Sequence, residues 1–147
     1  MRMKLAVVLA ALSLPVAGLA YGQDDPIKAR QQVMKMNGGA AKTLFDMAGG
    51  KAAYDATAAL AALKTLQEDM TILVTLFPEG SDQGDTSASP EIWKNFDDFK
   101  AHAAKLAADA KAAEAAAPNG AEALGAMLGA IGGDCQACHE KYRIKKG

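Results

Sequence analysis

The feature that most constrains the fold of this chain is the spacing of its apolar residues, which recur in alternating steps of four and three. Because an α-helix turns once every 3.6 residues, this spacing places the apolar side chains along one face of each helix. From about 55 to 77 the positions are Ala59, Leu63, Leu66, Met70, Leu73 and Phe77. From about 90 to 117 they are Ile92, Phe96, Phe99, Ala103, Leu106, Ala110, Ala113 and Ala117. From about 119 to 145 they are Leu124, Leu128, Ile131, Cys135, Cys138 and Tyr142.

Turn-forming residues divide the chain into four predicted helices, over about 26–48, 55–77, 90–117 and 119–145. Pro26 suits the first turn of the first helix, and Ser89 is expected to cap the third. The short links 49–54 and 118–120 force antiparallel neighbours, and the twelve-residue link 78–89 allows the same order. We therefore predict an all-α fold, an antiparallel up-down-up-down four-helix bundle.

Residues 1–22 are predicted to form a secretory signal peptide that is cleaved after Gly22. Arg2 and Lys4 give a basic start, and an uncharged apolar run of about 16 residues follows, which is shorter than a membrane span. Cleavage leaves a four-helix-bundle domain over 23–147 with 14 basic and 17 acidic residues, a net charge of −3. This weakly acidic domain lacks the basic patch of a nucleic-acid-binding protein, and we expect no membrane association after cleavage.

The two cysteines of the chain, Cys135 and Cys138, are followed directly by His139 in the sequence Cys-Gln-Ala-Cys-His. This spacing is typical of covalent haem attachment. Two thiols three positions apart lie on one face of a helix, where they can form thioether bonds to two vinyl groups of one porphyrin. The adjacent imidazole can then reach the iron. We therefore predict one covalently bound haem c, with His139 as its proximal axial ligand.

Two other uses of a Cys-x-x-Cys pair are less compatible with this sequence. A thioredoxin-like redox motif requires a βαβ setting, whereas this chain is predicted to be helical. A structural zinc site requires four ligands, and the only other histidine, His102, lies one residue off the apolar face of its helix. We expect His102 to be a surface residue.

The opposite axial position of the haem decides between electron transfer at a closed iron and binding of small gases at an open one. With no second histidine suited to the role, methionine is the candidate distal ligand. Met127 shares a predicted helix with His139 and cannot reach the other face of the ring. Met34 lies at about the height of His139 along the bundle, which makes it the preferred ligand, but height alone does not exclude Met70.

Three further residues are candidate haem contacts. Arg30 lies one turn before Met34 on the same face, where it either binds a haem propionate or is exposed at a fraying helix start. Arg143 has a similar position one turn after His139. Phe77 is expected to pack in the core and to touch the ring.

Taken together, Arg30 with Met34 and the motif Cys-x-x-Cys-His-x-x-Tyr-Arg over 135–143 resemble the cytochrome c prime family. The resemblance extends over essentially the whole mature chain. It implies a monohaem four-helix bundle in the periplasm. The family has two branches. High-spin members keep a five-coordinate iron, bind nitric oxide and often form homodimers, whereas low-spin members use the methionine of the first helix as sixth ligand.

The stretches 34–39 and 76–79 look more like the low-spin branch. The resemblance therefore implies an electron carrier rather than an enzyme, which passes single electrons between periplasmic redox partner proteins. The alternative that it leaves open is a high-spin protein that binds nitric oxide or other small gases. It also leaves monomer and homodimer open.

Overall fold

The computed structural model describes residues 25–145, and within them the chain is a bundle of four long helices. The helices are α1 Pro26–Ala48, α2 Ala56–Leu73, the short α3 Glu91–Lys94, α4 Phe96–Ala113 and α5 Ala121–Tyr142, with a 3₁₀ turn Ala117–Asn119 before α5. The predicted signal peptide, 1–22, lies outside the described residues. No helix in the described part of the chain is long and apolar enough to cross a membrane.

The long helices pack in a closed square, in which each touches two neighbours: α1 with α2, α2 with α4, α4 with α5, and α5 with α1. The short connections between α1 and α2 and between α4 and α5 make these pairs antiparallel. The predicted all-α, up-down-up-down four-helix bundle is therefore confirmed.

The core consists of the apolar faces that the spacing predicts. Its largest fully buried side chains are Leu44, Leu63, Leu66, Ile92, Leu124, Leu128 and Ile131. Alanines with no exposed surface, such as Ala59 and Ala110, allow α2 and α4 to approach closely. Burial of these apolar groups is the main favourable contribution to folding.

An aspartate caps the start of each of the first two helices. The Asp25 carboxylate accepts a hydrogen bond from the Lys28 amide at 3.0 Å, and Pro26 occupies the first turn of α1. The Asp55 carboxylate caps α2 in the same way, by accepting from the Ala58 amide at 3.0 Å. Both caps satisfy amides that have no partner within the helix.

The prediction of one continuous third helix over 90–117 is wrong, because the helix is interrupted at Asn95. The Asn95 backbone adopts φ −128° and ψ 45°, which lie outside the helical region, and its side-chain amide donates to the Glu91 carboxylate at 3.1 Å. The Ser89 hydroxyl accepts from the Glu91 amide at 3.2 Å, so it caps only the short α3. The predicted second helix also ends early, at Leu73, which leaves Phe77 in the turn that follows.

Candidate cofactor site

A cavity of about 570 Å³ opens between the helices at the end of the bundle where α1 begins and α5 ends. Its size suits a bound organic group. All seven residues predicted from the sequence to form the site line it: Arg30, Met34, Phe77, Cys135, Cys138, His139 and Arg143. The structure therefore brings together side chains from α1, from α5 and from the turn after α2.

Both thiols face this cavity from α5 and are free of any disulfide. Burial raises the pKa of Cys138 to about 11, and burial together with the Asp134 charge raises the pKa of Cys135. Reactive redox cysteines have a lowered pKa, whereas the pKa of both thiols is raised here. Within residues 25–145 no cluster of three or more His, Cys, Asp or Glu side chains is arranged to hold a metal ion.

His139 and Met34 lie at the same height on facing helices. A methyl group at Gly125 would lie only 3.6 Å from the Cβ of Ala48, so these two residues mark a point where α1 and α5 are level. His139 lies fourteen residues beyond Gly125, and Met34 lies fourteen residues before Ala48. Because the two helices run in opposite directions, an imidazole and a thioether face the cavity at matching heights.

Met70 also lines the cavity, from α2, and it is 5% exposed. The Asp55 amide lies 3.4 Å from the Met47 sulfur, which marks where α1 and α2 are level. Counted from this contact, Met70 and Met34 differ by about two residues, or roughly 3 Å, in height. Both methionines therefore lie at about the same height along the bundle.

The environment of His139 favours a neutral imidazole. Partial desolvation at the cavity wall lowers the pKa of His139, and the nearby positive charge of Arg143 lowers it further. A metal ion binds only the unprotonated nitrogen of an imidazole, so a lowered pKa prepares this side chain for ligation.

Arg30 is buried, with 4% of its surface exposed, so an exposed position at a fraying helix end is wrong. Its guanidinium donates to the Ser81 carbonyl at 2.6 Å, to the Ser81 hydroxyl at 3.0 Å and to the Thr86 hydroxyl at 2.8 Å. It also lies 4.8 Å from the centre of the Phe77 ring. Arg30 thus holds the 78–89 loop against α1 at the edge of the cavity.

The same loop is tied to the C-terminal end of α5. The Ser89 amide donates to the Tyr142 carbonyl at 2.9 Å, and the Ile144 amide donates to the Ser87 carbonyl at 2.8 Å. Arg143 lies between these two bonds, exposed and at the cavity wall. The loop therefore closes this end of the cavity and brings Arg30 and Arg143 to the same end of it.

Aromatic rings form the wall below this closure. The Phe77 ring packs edge to face against Trp93 and against Phe99, with centroids 5.6 Å and 4.8 Å apart. Phe99 in turn meets the buried ring of Tyr142 at 5.4 Å. This part of the wall is apolar, which suits an apolar ring system.

Several cavity residues were not predicted from the sequence, and three of them are the polar side chains of Asn37, His102 and Asp134. His102, expected on the surface, keeps 26% of its side chain exposed, but it also lines the cavity and meets the Tyr142 ring edge to face at 5.7 Å. Asn37 and Asp134 are buried polar residues that also line it. Asn37 lies three residues after Met34 on α1, so helical spacing from Met34 would have identified it.

Comparison with known proteins gives the same picture. A family model described as Cytochrome C′ matches residues 25–143. The chain is 38% identical to cytochrome c-556 of Agrobacterium fabrum over 148 residues, which cover 99% of this chain and all of the relative. It is 35% identical to cytochrome c′ of Rhodopseudomonas palustris over 147 residues, which cover 99% of each chain.

Solved structures agree in fold. Cytochrome c′ from Rhodopseudomonas palustris superposes with a TM-score of 0.80 and 36% identity, over 85% of this chain and all of that one. The structural model of oxidised cytochrome c556 from the same organism gives 0.76 and 32%, over 85% and 100%. A nitric oxide complex of a mutant cytochrome c prime from Alcaligenes xylosoxidans gives 0.73 and 29%, over 84% and 98%.

Proposed function

Because the chain belongs to the cytochrome c′ family and carries one covalently bound haem c, we propose that it is a periplasmic carrier of single electrons. In this proposal Cys135 and Cys138 form the thioether bonds, His139 is the proximal ligand of the iron and Met34 is the distal one. The observation that carries the proposal is the matching height of His139 and Met34 on the two sides of one cavity.

The residues that line the cavity fit a covalently bound haem c. Two unionised thiols three positions apart, a neutral imidazole next to them and the aromatic side chains of Phe77, Phe99 and Tyr142 all face the same space. When bound, the haem supplies a one-electron couple between ferric and ferrous iron. Ligation by methionine and histidine raises the reduction potential of such a couple and leaves no open position for a gas.

Arg30, Arg143 and Phe77 are proposed to contact the haem at the end closed by the 78–89 loop. Of the five donors of the Arg30 guanidinium, four are used by the loop and by the Leu76 carbonyl, the last at 3.4 Å. Nε–H has no partner among residues 25–145, so it is free to bind a propionate. Arg143 offers a full fork of donors from the other side, and charge-assisted bonds of this kind are strong.

The wider role follows from the family and the sequence. A leader at 1–22 would export the chain, and the haem edge beside the two thioethers would exchange electrons with redox partner proteins of the periplasm. The cytochrome c-556 relatives support the carrier over a catalytic role. A homodimer remains an alternative to the monomer.

Replacing Met34 by Leu tests the proposed ligation. The wild-type holoprotein is expected to show the sharp, split α/β bands of a low-spin ferrous haem. Met34→Leu removes the sulfur at nearly constant volume, and should give a broad high-spin spectrum with ready uptake of carbon monoxide. Absorption spectra of both reduced proteins, with and without carbon monoxide, make the comparison.

Met70→Leu is the matched control, because Met70 lines the same layer of the cavity. It should leave the low-spin spectrum intact. If Met70→Leu converts the spectrum and Met34→Leu does not, the distal ligand is Met70. A wild-type protein that is already high-spin would instead support the second candidate function, binding of nitric oxide, which the nitric oxide complex of a family member brings into consideration.

A further inference from the structure

The buried side-chain amide of Asn37 lines the cavity without a hydrogen bond to any residue from 25 to 145. Asn37 is 8% exposed, and within this part of the chain neither its Nδ2 nor its Oδ1 has a hydrogen-bond partner. Buried amides are nearly always hydrogen-bonded, since leaving one unpaired forfeits its bonds to water. The cavity is therefore expected to supply an atom that this amide can bind.

The position of Asn37 limits what that atom can be. Asn37 lies seven residues, or about 10 Å along α1, from Arg30, so it is remote from the end of the cavity where the propionates are proposed to lie. It lies three residues after Met34, on the same face. Side chains on a helix lean towards its N-terminus, so the carboxamide of Asn37 leans over the turn that carries Met34.

Two buried carboxylate oxygens in the described part of the chain are also unpaired, but neither is a suitable acceptor for the Asn37 amide. Among residues 25–145, Asp134 Oδ2 is the other buried polar atom of the cavity wall without a hydrogen bond, and it lies on α5 rather than on the helix that carries Asn37 and Met34. Asp69 Oδ2 is also unpaired, but Asp69 does not line the cavity. The thioether sulfur of Met34 is a weak acceptor that keeps a lone pair after it binds iron.

We propose that Asn37 is a positioning residue, whose Nδ2–H donates a hydrogen bond to the iron-bound sulfur of Met34. This inference rests on the proposed ligation by Met34. The bond would hold the thioether in one orientation and draw electron density from it. Hydrogen bonds to axial ligands are among the means by which proteins set the potential of a haem.

Asn37→Leu tests the proposal, because leucine has a similar size and no polar atoms. Without the bond, sulfur donates more strongly to ferric iron, so the reduction potential of the holoprotein should become more negative. A mere loss of polarity would act oppositely, since a less polar wall disfavours the more positive ferric state. The sign of the shift, measured by redox titration, therefore separates the two effects.

Gln31→Leu is the matched control. Gln31 lies three residues before Met34 and also lines the cavity, but its amide already donates to the Asp85 carbonyl at 2.8 Å. Its replacement removes polarity from the cavity wall without removing a bond to the sulfur, so any shift of the potential should be positive, opposite in sign to that of Asn37→Leu. An equal negative shift in Gln31→Leu and Asn37→Leu would overturn the proposal.

A second measurement does not depend on a variant. In the reduced holoprotein, nuclear Overhauser contacts should join the Asn37 side-chain amide protons to the Met34 methyl group, whose signal the haem ring shifts strongly. A shifted Met34 methyl signal without these contacts, or an unchanged potential in Asn37→Leu, would overturn the role of Asn37 and leave ligation by Met34 intact. A haem without methionine ligation in the wild type would overturn both proposals.

Discussion

Replacing both Cys135 and Cys138 by serine should abolish covalent attachment of the haem. Serine keeps the size and the helix but has no sulfur to form a thioether bond to a vinyl group. The wild-type chain, produced with export and haem attachment intact, should carry the mass of one porphyrin adduct on every molecule. The double variant should carry none, and acidified organic solvent should extract any colour from it. Mass spectrometry of the denatured chains measures the outcome.

The single variants are the internal controls for this experiment. Cys135→Ser and Cys138→Ser should each keep one thioether, so each chain should retain the mass adduct, and the α band of its pyridine complex should move towards that of a haem with one free vinyl group. An adduct that survives in the double variant would show that attachment occurs elsewhere on the chain. That result would contradict the assignment of both cysteines.

The spacing of apolar residues was sufficient to predict the bundle, because burial follows directly from which face of a helix a residue occupies. Leu63, Leu66, Leu124 and Ile131 are all buried as the pattern predicts. The break at Asn95 was not predicted, because it depends on a local bond between one amide and Glu91 that competes with a helix continuing across it. Patterning determines the long helices, whereas single polar side chains determine where they end.

In the site, residues that are adjacent in sequence could be predicted, whereas contacts between residues distant in sequence could not. Cys135, Cys138 and His139 are adjacent in sequence, so their joint chemistry was predictable. Arg30 was correctly placed on an inward face, but its partners lie about fifty residues away in the loop. No local pattern connects residues so far apart. The contact of His102 with the cavity was not predicted for the same reason, since the Tyr142 ring beside it comes from another helix.

Arg30 both binds the loop that closes the cavity and lines the cavity itself. The substitution Arg30→Leu should therefore destabilise the holoprotein markedly. The substitution leaves the Ser81 carbonyl and the Thr86 hydroxyl without their buried donor and removes the buried hydrogen bonds that tie the 78–89 loop to α1. Unpaired buried polar groups cost about 1–3 kcal/mol each, so we expect the free energy of unfolding to fall by about 3 kcal/mol. Urea denaturation, followed by circular dichroism at constant haem content, measures this change.

Arg30→Lys separates the charge from the geometry of this contact. Lysine keeps the positive charge and the apolar stem, but its ammonium lacks the planar fork that reaches Ser81 and Thr86 together. It should therefore recover only part of the lost stability. Because Thr86→Val removes one acceptor of the same network, its effect should shrink in the Arg30→Leu background. Fully additive losses in that cycle would show that Arg30 stabilises the bundle without holding the loop, and the cavity would then be closed mainly by the bonds of Ser87 and Ser89 to the end of α5.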